Sequence, residues 1–400
     1  MSIDATLRWP RPLALLVVVF AIYDVLYFVV YLWHSLHGSK WPFGDFFAFW
    51  SFAQFIHALP AEQIYDVATL QDFQQALPGG LQGFYPYPYP PIFLLCLWPL
   101  GWLGYLPAYG MWIATTLGAY LAAVAGRNWR SPCMWFGIVA PTTLLTMISG
   151  QNGFLAAALM IGGFRIIGRW PFLGGIILGG LAFKPQLFIL IPVVLLATRH
   201  WRSLAGLAAS LVGLGAASAA AFGPAIWLSW LQAVPTLWQL FEDNRQKLSY
   251  LMPSVTASLL AAGVGRGAAQ VLQAVVTLGV VGCLWLVFRR GARMHAAPRA
   301  LDVAALQVGV FLATPYAFIY DMPMVTSAVA TTIESCMRAS RPWQPGEITV
   351  LVATLLLPLV MFGGAVNGWP VGPLTLLPLL AIIVRAGWAM PACLVSAQPG

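Results

Sequence analysis

The strongest constraint on this chain is a succession of apolar runs with almost no charge inside them. Basic residues collect at the junctions, as Arg127/Arg130, Arg165/Arg169, Arg199/Arg202, Arg289/Arg290/Arg293/Arg299 and Arg338/Arg341. Charged residues are 8% of 400, about a third of a soluble domain's share, so the pattern is that of an all-α polytopic membrane protein. Short basic loops mark the cytoplasmic side of such proteins. Placing all five junctions there gives about twelve spans with both termini inside. The same short loops account for the formal charge of +8. Its basic residues are scattered in ones and twos, so nucleic acid is not expected as a partner.

The first apolar run, 13–33, follows Arg8 and Arg11 and carries no A-x-A cleavage site, so it reads as a retained anchor. Asp24 sits in its middle, where a carboxylate is expected to face the bundle interior. Residues 91–103 are too short to cross and read as a partial or re-entrant element, with 105–126 the second true span. Four hairpins follow from the pattern: 132–149 with 151–167, 171–183 with 186–198, 301–318 with 321–337, and 348–364 with 371–386. Single passes at 203–223 and 267–288 flank an outer loop, 224–266. The chain 1–400 reads as one membrane domain, with 34–90 as its first outer loop.

Polar chemistry concentrates in those two loops. Residues 44–59 are rich in Phe and predict a helix lying along the outer membrane surface, with Asp45 at or next to its N-cap. Capping is the ordinary use of an aspartate there. In the second loop, Trp227, Trp230 and Trp238 predict an amphipathic helix at the interface. Together with short turns between spans, the loops bring Asp45, Asp66, Asp321, Gln151, Asn152, Lys184, Tyr316, Tyr320, Arg245 and Lys247 to the outer face; Lys40 and Arg266 also lie outside. Lys184, inside a hydrophobic hairpin, either snorkels to the surface, pairs with Asp45 or Asp321, or binds the phosphate of a lipid substrate. Gln151 and Asn152 either close a tight turn or hydrogen-bond sugar hydroxyls. The YPYPYPP run, with Tyr87 and Tyr89, either braces the loop or presents rings to sugar faces.

Five isolated cysteines and five dispersed histidines give neither a disulfide framework nor a zinc site; His34 and His37 have permissive spacing but read as polar interface residues. Walker A, GxGxxG and Ser/His/Asp arrangements are missing from the sequence. A membrane enzyme of this kind needs a donor already activated in the lipid phase. A polyprenyl-phosphate sugar qualifies, given a carboxylate base and a cation for the leaving phosphate.

The ordered set GDFFAFW, Ile64-Tyr65-Asp66, FYPYPYPPIFLL, Ser149-Gly150-Gln151-Asn152, GGLAFKPQLFILIP and ATPYAFIYD resembles glycosyltransferase family 87 over about residues 40–330. The resemblance implies a GT-C type bundle in the plasma (inner) membrane with its site on the periplasmic or exterior face. It implies inverting transfer of a hexose, usually mannose, from a polyprenyl-phosphate sugar to a glycolipid or glycan hydroxyl. Asp45 then corresponds to the general base and Lys184 to the residue facing the donor phosphate. Gln151 and Tyr87 or Tyr89 line the sugar pocket. Several family members carry histidine in the late motif where this chain has Tyr320 and Asp321, which bears on the identity of the acceptor. No cofactor is expected, and a divalent ion at most assists. The competing classes are a polyprenyl-phosphate-sugar or lipid flippase, which Asp24, Lys184 and the broken helices also suit, and a structural subunit.

Overall fold

The computed structural model describes residues 11–37, 44–78, 83–126, 131–295, 297–362, 369 and 371–389. Lys40, Arg127 and Arg130 lie outside them, as does the side chain of Lys247. The regular structure of the described residues is all helical, with no strand. Among them five helices are long and apolar enough to cross a membrane: Pro12–His34, Tyr105–Ala125, Trp201–Phe222, Arg266–Met294 and Val371–Ala389. Several, though not all, expected spans are present as shorter pieces, and proline sets the breaks. A prolyl ring is favoured at the first helical position and costly further in, although Pro235, Pro358 and Pro378 are accommodated inside helices. Accordingly Pro132 and Pro141 open the successive helices Pro132–Val139 and Pro141–Ser149, and Pro171 and Pro185 open Pro171–Gly179 and Pro185–Phe188.

The first helix, Arg11–His37, packs on Pro132–Val139 and Pro141–Ser149 and leaves Leu15, Val18, Ile22, Val25 and Val29 exposed. In a chain this apolar, such a face belongs to lipid. Asp24 is half-buried, and its Oδ1 is shut away with no hydrogen-bond partner among the described residues.

Lipid provides no hydrophobic drive between helices, so close approach needs small residues. Pro171–Gly179 packs along Trp201–Phe222 in this way. A Cβ at Gly175 would run into the carbonyl of Ser203, and one at Gly206 into the carbonyl of Phe172. Gly206→Leu is therefore expected to lower stability by at least about 1–3 kcal/mol, read as earlier thermal unfolding of the purified protein. An unchanged unfolding temperature would contradict this packing.

The helix expected after Gly44 forms as Phe46–Ala58, but it does not lie on a surface. Phe46, Phe47, Phe49, Trp50, Phe52, Ala53 and Phe55 are all buried, against Ile92–Leu97 and Trp98–Trp102 among others. Its apolar residues surround the whole helix, which is the signature of a core helix. The helix in the second loop, Ala225–Leu248, does keep an apolar stripe exposed, at Leu228, Leu231, Val234 and Trp238. Its other side packs on the turn Ala61–Tyr65, so the two outer loops meet.

Candidate functional site

Asp45 stands at the N-cap of Phe46–Ala58, yet its side chain makes no capping hydrogen bond. Its own φ and ψ are helical, −71° and −26°, which turns the carboxylate away from the free backbone N–H groups. Asp66 behaves as expected of a cap, accepting from the Thr69 amide at 2.8 Å at the start of Val67–Ala76. Asp66 is thus used structurally, whereas Asp45 caps nothing and pairs with no cation among the described residues.

What Asp45 meets instead is Gln151, whose Nε2 donates to Oδ2 at 3.3 Å. The aim comes from the turn that ends Pro141–Ser149. Gly150 takes the left-handed conformation at φ 68° and closes the helix, its amide bonding to the Met147 carbonyl and that of Gln151 to the Thr146 carbonyl. The turn presses on the start of the buried helix Phe46–Ala58: a Cβ at Gly150 would lie 2.5 Å from Phe46 Cβ. From the other side, the Trp112 indole N–H donates to the Gly150 carbonyl at 3.0 Å. Trp112 supports the turn without any local signal in the sequence, being one more aromatic within an apolar span.

Asn152 is fully buried and does not cap Gly153–Ile166. Its Nδ2 donates to the Tyr89 hydroxyl at 3.1 Å, and its Oδ1 has no partner among the described residues. Neither Gln151 nor Asn152 spends its side chain on closing the turn. Tyr89 is half-buried, with its ring 4.5 Å from that of Phe93. The Tyr65 hydroxyl donates to the Tyr89 carbonyl at 2.8 Å. Tyr87, by contrast, is 1% exposed, packs on Phe52 and donates its hydroxyl to the Pro90 carbonyl. Tyr87 is thus spent as a brace beside Tyr89, with its hydroxyl turned back onto the chain.

Lys184 and Asp321 form a buried ion pair, at 2% and 0% exposure. The Lys184 ammonium also lies 5.2 Å from the centre of the Tyr320 ring. Lys184 therefore does not stand open to a donor phosphate, as the resemblance implied; its charge is already matched. Asp321 Oδ2 has no partner among the described residues. The Tyr320 carbonyl accepts from Thr146 at 3.0 Å and lies where a Cβ at Gly153 would fall. This locks the Tyr320-Asp321 segment onto the Gln151-Asn152 turn.

Arg245 belongs to a neighbouring group. It is 7% exposed, ion-paired with Glu242, and donates to the Tyr316 hydroxyl at 2.9 Å. Its guanidinium lies 5.5 Å over the Tyr316 ring, and its Nε has no partner among the described residues. Phe318 joins the two groups, stacking on Tyr320 at 5.0 Å and meeting Phe241 at 6.5 Å. The site residues are thus linked by contacts, with Asp45, Gln151, Asn152 and Tyr89 at one end and Arg245 with Tyr316 at the other. A further residue the sequence did not single out is Gln74. It holds the backbone of Tyr85 at both its amide and its carbonyl, at 3.0 and 2.9 Å.

Among the described residues no three of His, Cys, Asp and Glu converge as metal ligands. Withdrawal from solvent raises the Asp45 carboxyl above the ordinary carboxylate range, and the Gln151 hydrogen bond pulls it partly back. A raised carboxylate holds a proton more readily and is a stronger base at neutral pH.

Taken together, fold and site define a membrane-embedded, all-helical protein with a polar cluster built from its loops and interhelical turns. The family model for glycosyltransferase family 87 matches residues 87–315, more than half of the chain. The chain belongs to that family and is a glycosyltransferase, acting between a sugar donor and an acceptor. Asp45, Tyr316, Tyr320 and Asp321 fall outside the matched residues. No curated protein and no solved structure gives a match.

Proposed function

We propose that the protein transfers a hexose, mannose in the first instance, from a polyprenyl-phosphate sugar to a hydroxyl of a glycolipid or glycan. Transfer takes place at the outer face of the plasma (inner) membrane with inversion at the anomeric carbon. Asp45 is the general base, and the observation that carries this reading is its carboxylate: half-buried, used for neither capping nor ion pairing among the described residues, and held by the Gln151 amide. In a single displacement the base takes the proton of the acceptor hydroxyl as that oxygen bonds to the anomeric carbon. The bond to the phosphate oxygen breaks on the opposite side, and the polyprenyl phosphate leaves with the electron pair. No covalent enzyme intermediate is needed.

The leaving charge falls to Arg245: its carboxylate partner Glu242 is shared with Arg266, so this group, unlike the Lys184–Asp321 pair, keeps a net positive charge, and Tyr316 holds the guanidinium in place. Lys184 contributes through the neutral pair with Asp321. Tyr89, Tyr320, Gln151 and Asn152 supply ring faces and amide groups for sugar hydroxyls. Turnover then proceeds without a metal ion, at most assisted by one, and rates in chelator-treated membranes test this.

The decisive assay supplies radiolabelled polyprenyl-phosphate mannose to proteoliposomes containing membrane glycolipids. Label appearing in a new lipid or glycan product supports the reading. Label that only changes leaflet assigns the protein to transport, the alternative that Asp24 and the broken helices suit.

Gln151→Leu gives a pH test. An Asp45 without its donor should hold its proton to higher pH, because the hydrogen bond favours the ionised form. The base works only when deprotonated, so activity is lost as pH falls through its pKa. The acid limb of kcat/KM is therefore expected above the usual carboxylate range in the native protein and higher still in Gln151→Leu. A limb that stays put would detach Gln151 from the base.

A further inference from the structure

Away from the polar cluster, the helices Arg266–Met294 and Val371–Ala389 both pack on Ala300–Ala313 rather than chiefly on each other. Between them they leave a groove of about 660 Å³, lined by Cys283, Leu377, Ala381, Val384, Arg385 and Trp388 among others. Leu377, Ala381, Val384 and Trp388 follow one another at i, i+4, i+7 and i+11, a single helix face. At 1.5 Å per residue that face runs about 16 Å, close to one leaflet of a hydrocarbon core about 30 Å thick. The groove is open along its length, and a flexible hydrocarbon chain can lie in it.

One end of the groove is basic. The Arg290 guanidinium lies 5.5 Å from the Trp388 ring centre, and Arg289, Arg290 and Arg293 are exposed and make no ion pair among the described residues. Arg385 is 47% exposed, with Glu347 as its ion-pair partner. Val275, Leu278 and Leu286 of the first helix and Leu374 of the second are exposed apolar residues, so lipid surrounds the groove. A tryptophan beside arginines at one end is the arrangement of a headgroup level, and unpaired arginines there favour anionic lipid.

We infer that this groove binds one acyl chain of an anionic glycerophospholipid, with the lipid phosphate against Arg290 and Arg385. The site is separate from Asp45 and independent of the sugar-transfer reading.

Photolabelling tests it without reference to activity. The full protein is reconstituted with phosphatidylglycerol carrying a diazirine at the end of one acyl chain, or with phosphatidylcholine carrying the same chain. Labelled peptides are then mapped by mass spectrometry. Residues 374–384 and the Cys283 region should label about tenfold more from phosphatidylglycerol. Arg290→Gln should reduce that preference about fivefold. Ala381→Trp, at an exposed position, should fill the groove and remove its label while leaving label at the lipid-facing Val271 and Leu278. Equal labelling by the two lipids, or groove label that survives Ala381→Trp, overturns the site. So does a groove that labels only after residues 390–400 are deleted, because the chain itself would then be the occupant.

Discussion

Asp45→Asn should lower sugar transfer by about 10²–10⁴-fold, the usual contribution of a positioned general base, with the protein still folded and inserted. The expectation of an intact fold is specific to this site. Asparagine keeps the shape of aspartate and an oxygen that accepts from Gln151 Nε2, and no cap or ion pair is lost because Asp45 makes none among the described residues. What disappears is the ability to take a proton. The loss should fall on kcat, with donor binding little changed, since the carboxylate acts on the acceptor hydroxyl in the transition state. Asp66→Ala is the matching control. It removes a helix cap worth about 1 kcal/mol and leaves transfer essentially as it was. Initial rates with labelled donor, set beside thermal unfolding of each variant, separate the two. Asp45→Asn protein that turns over at the native rate ends the case for Asp45 as base.

Asp45 stood out in the sequence through the family resemblance, since an aspartate at a helix start is ordinarily a cap; that it caps nothing is visible only in the folded chain. The turn Gly150-Gln151-Asn152 was legible as a polar interruption between two apolar runs. The burial of Phe46–Ala58 was less so. A nearly all-apolar helix suits both a membrane surface and a protein core, and the deciding contacts come from residues 92–102. Tyr87 and Tyr89 are indistinguishable in YPYPYPP, yet only Tyr89 meets Asn152, because the Tyr87 hydroxyl turns back onto Pro90. Trp112 carried no local signal at all, since its role is a hydrogen bond to a carbonyl 38 residues away. Pairing across the fold is the information that local pattern lacks.

The clearest instance is Lys184 with Asp321, 137 residues apart, and it yields the second large expected effect. Each charge is almost wholly withdrawn from solvent, so removing either partner leaves the other buried and uncompensated. Lys184→Met alone, or Asp321→Asn alone, should lower stability by about 3–5 kcal/mol. The double variant Lys184→Met/Asp321→Leu should recover most of that loss, because replacing a buried pair with apolar groups of similar size is often neutral or better. Recovery of stability need not restore transfer. The pair joins the Pro185–Phe188 turn to the Tyr320-Asp321 segment, and Tyr320 sits against the Lys184 ammonium. If the pair also helps to order the sugar site, the double variant should be stable yet slow. If Lys184 is instead a simple phosphate ligand, Asp321→Asn should keep activity while Lys184→Met loses it. Unfolding temperatures and initial rates of the three variants, taken together, distinguish the two roles: a pair gives matched losses in the single variants and restored stability in the double, whereas independent residues give losses that add.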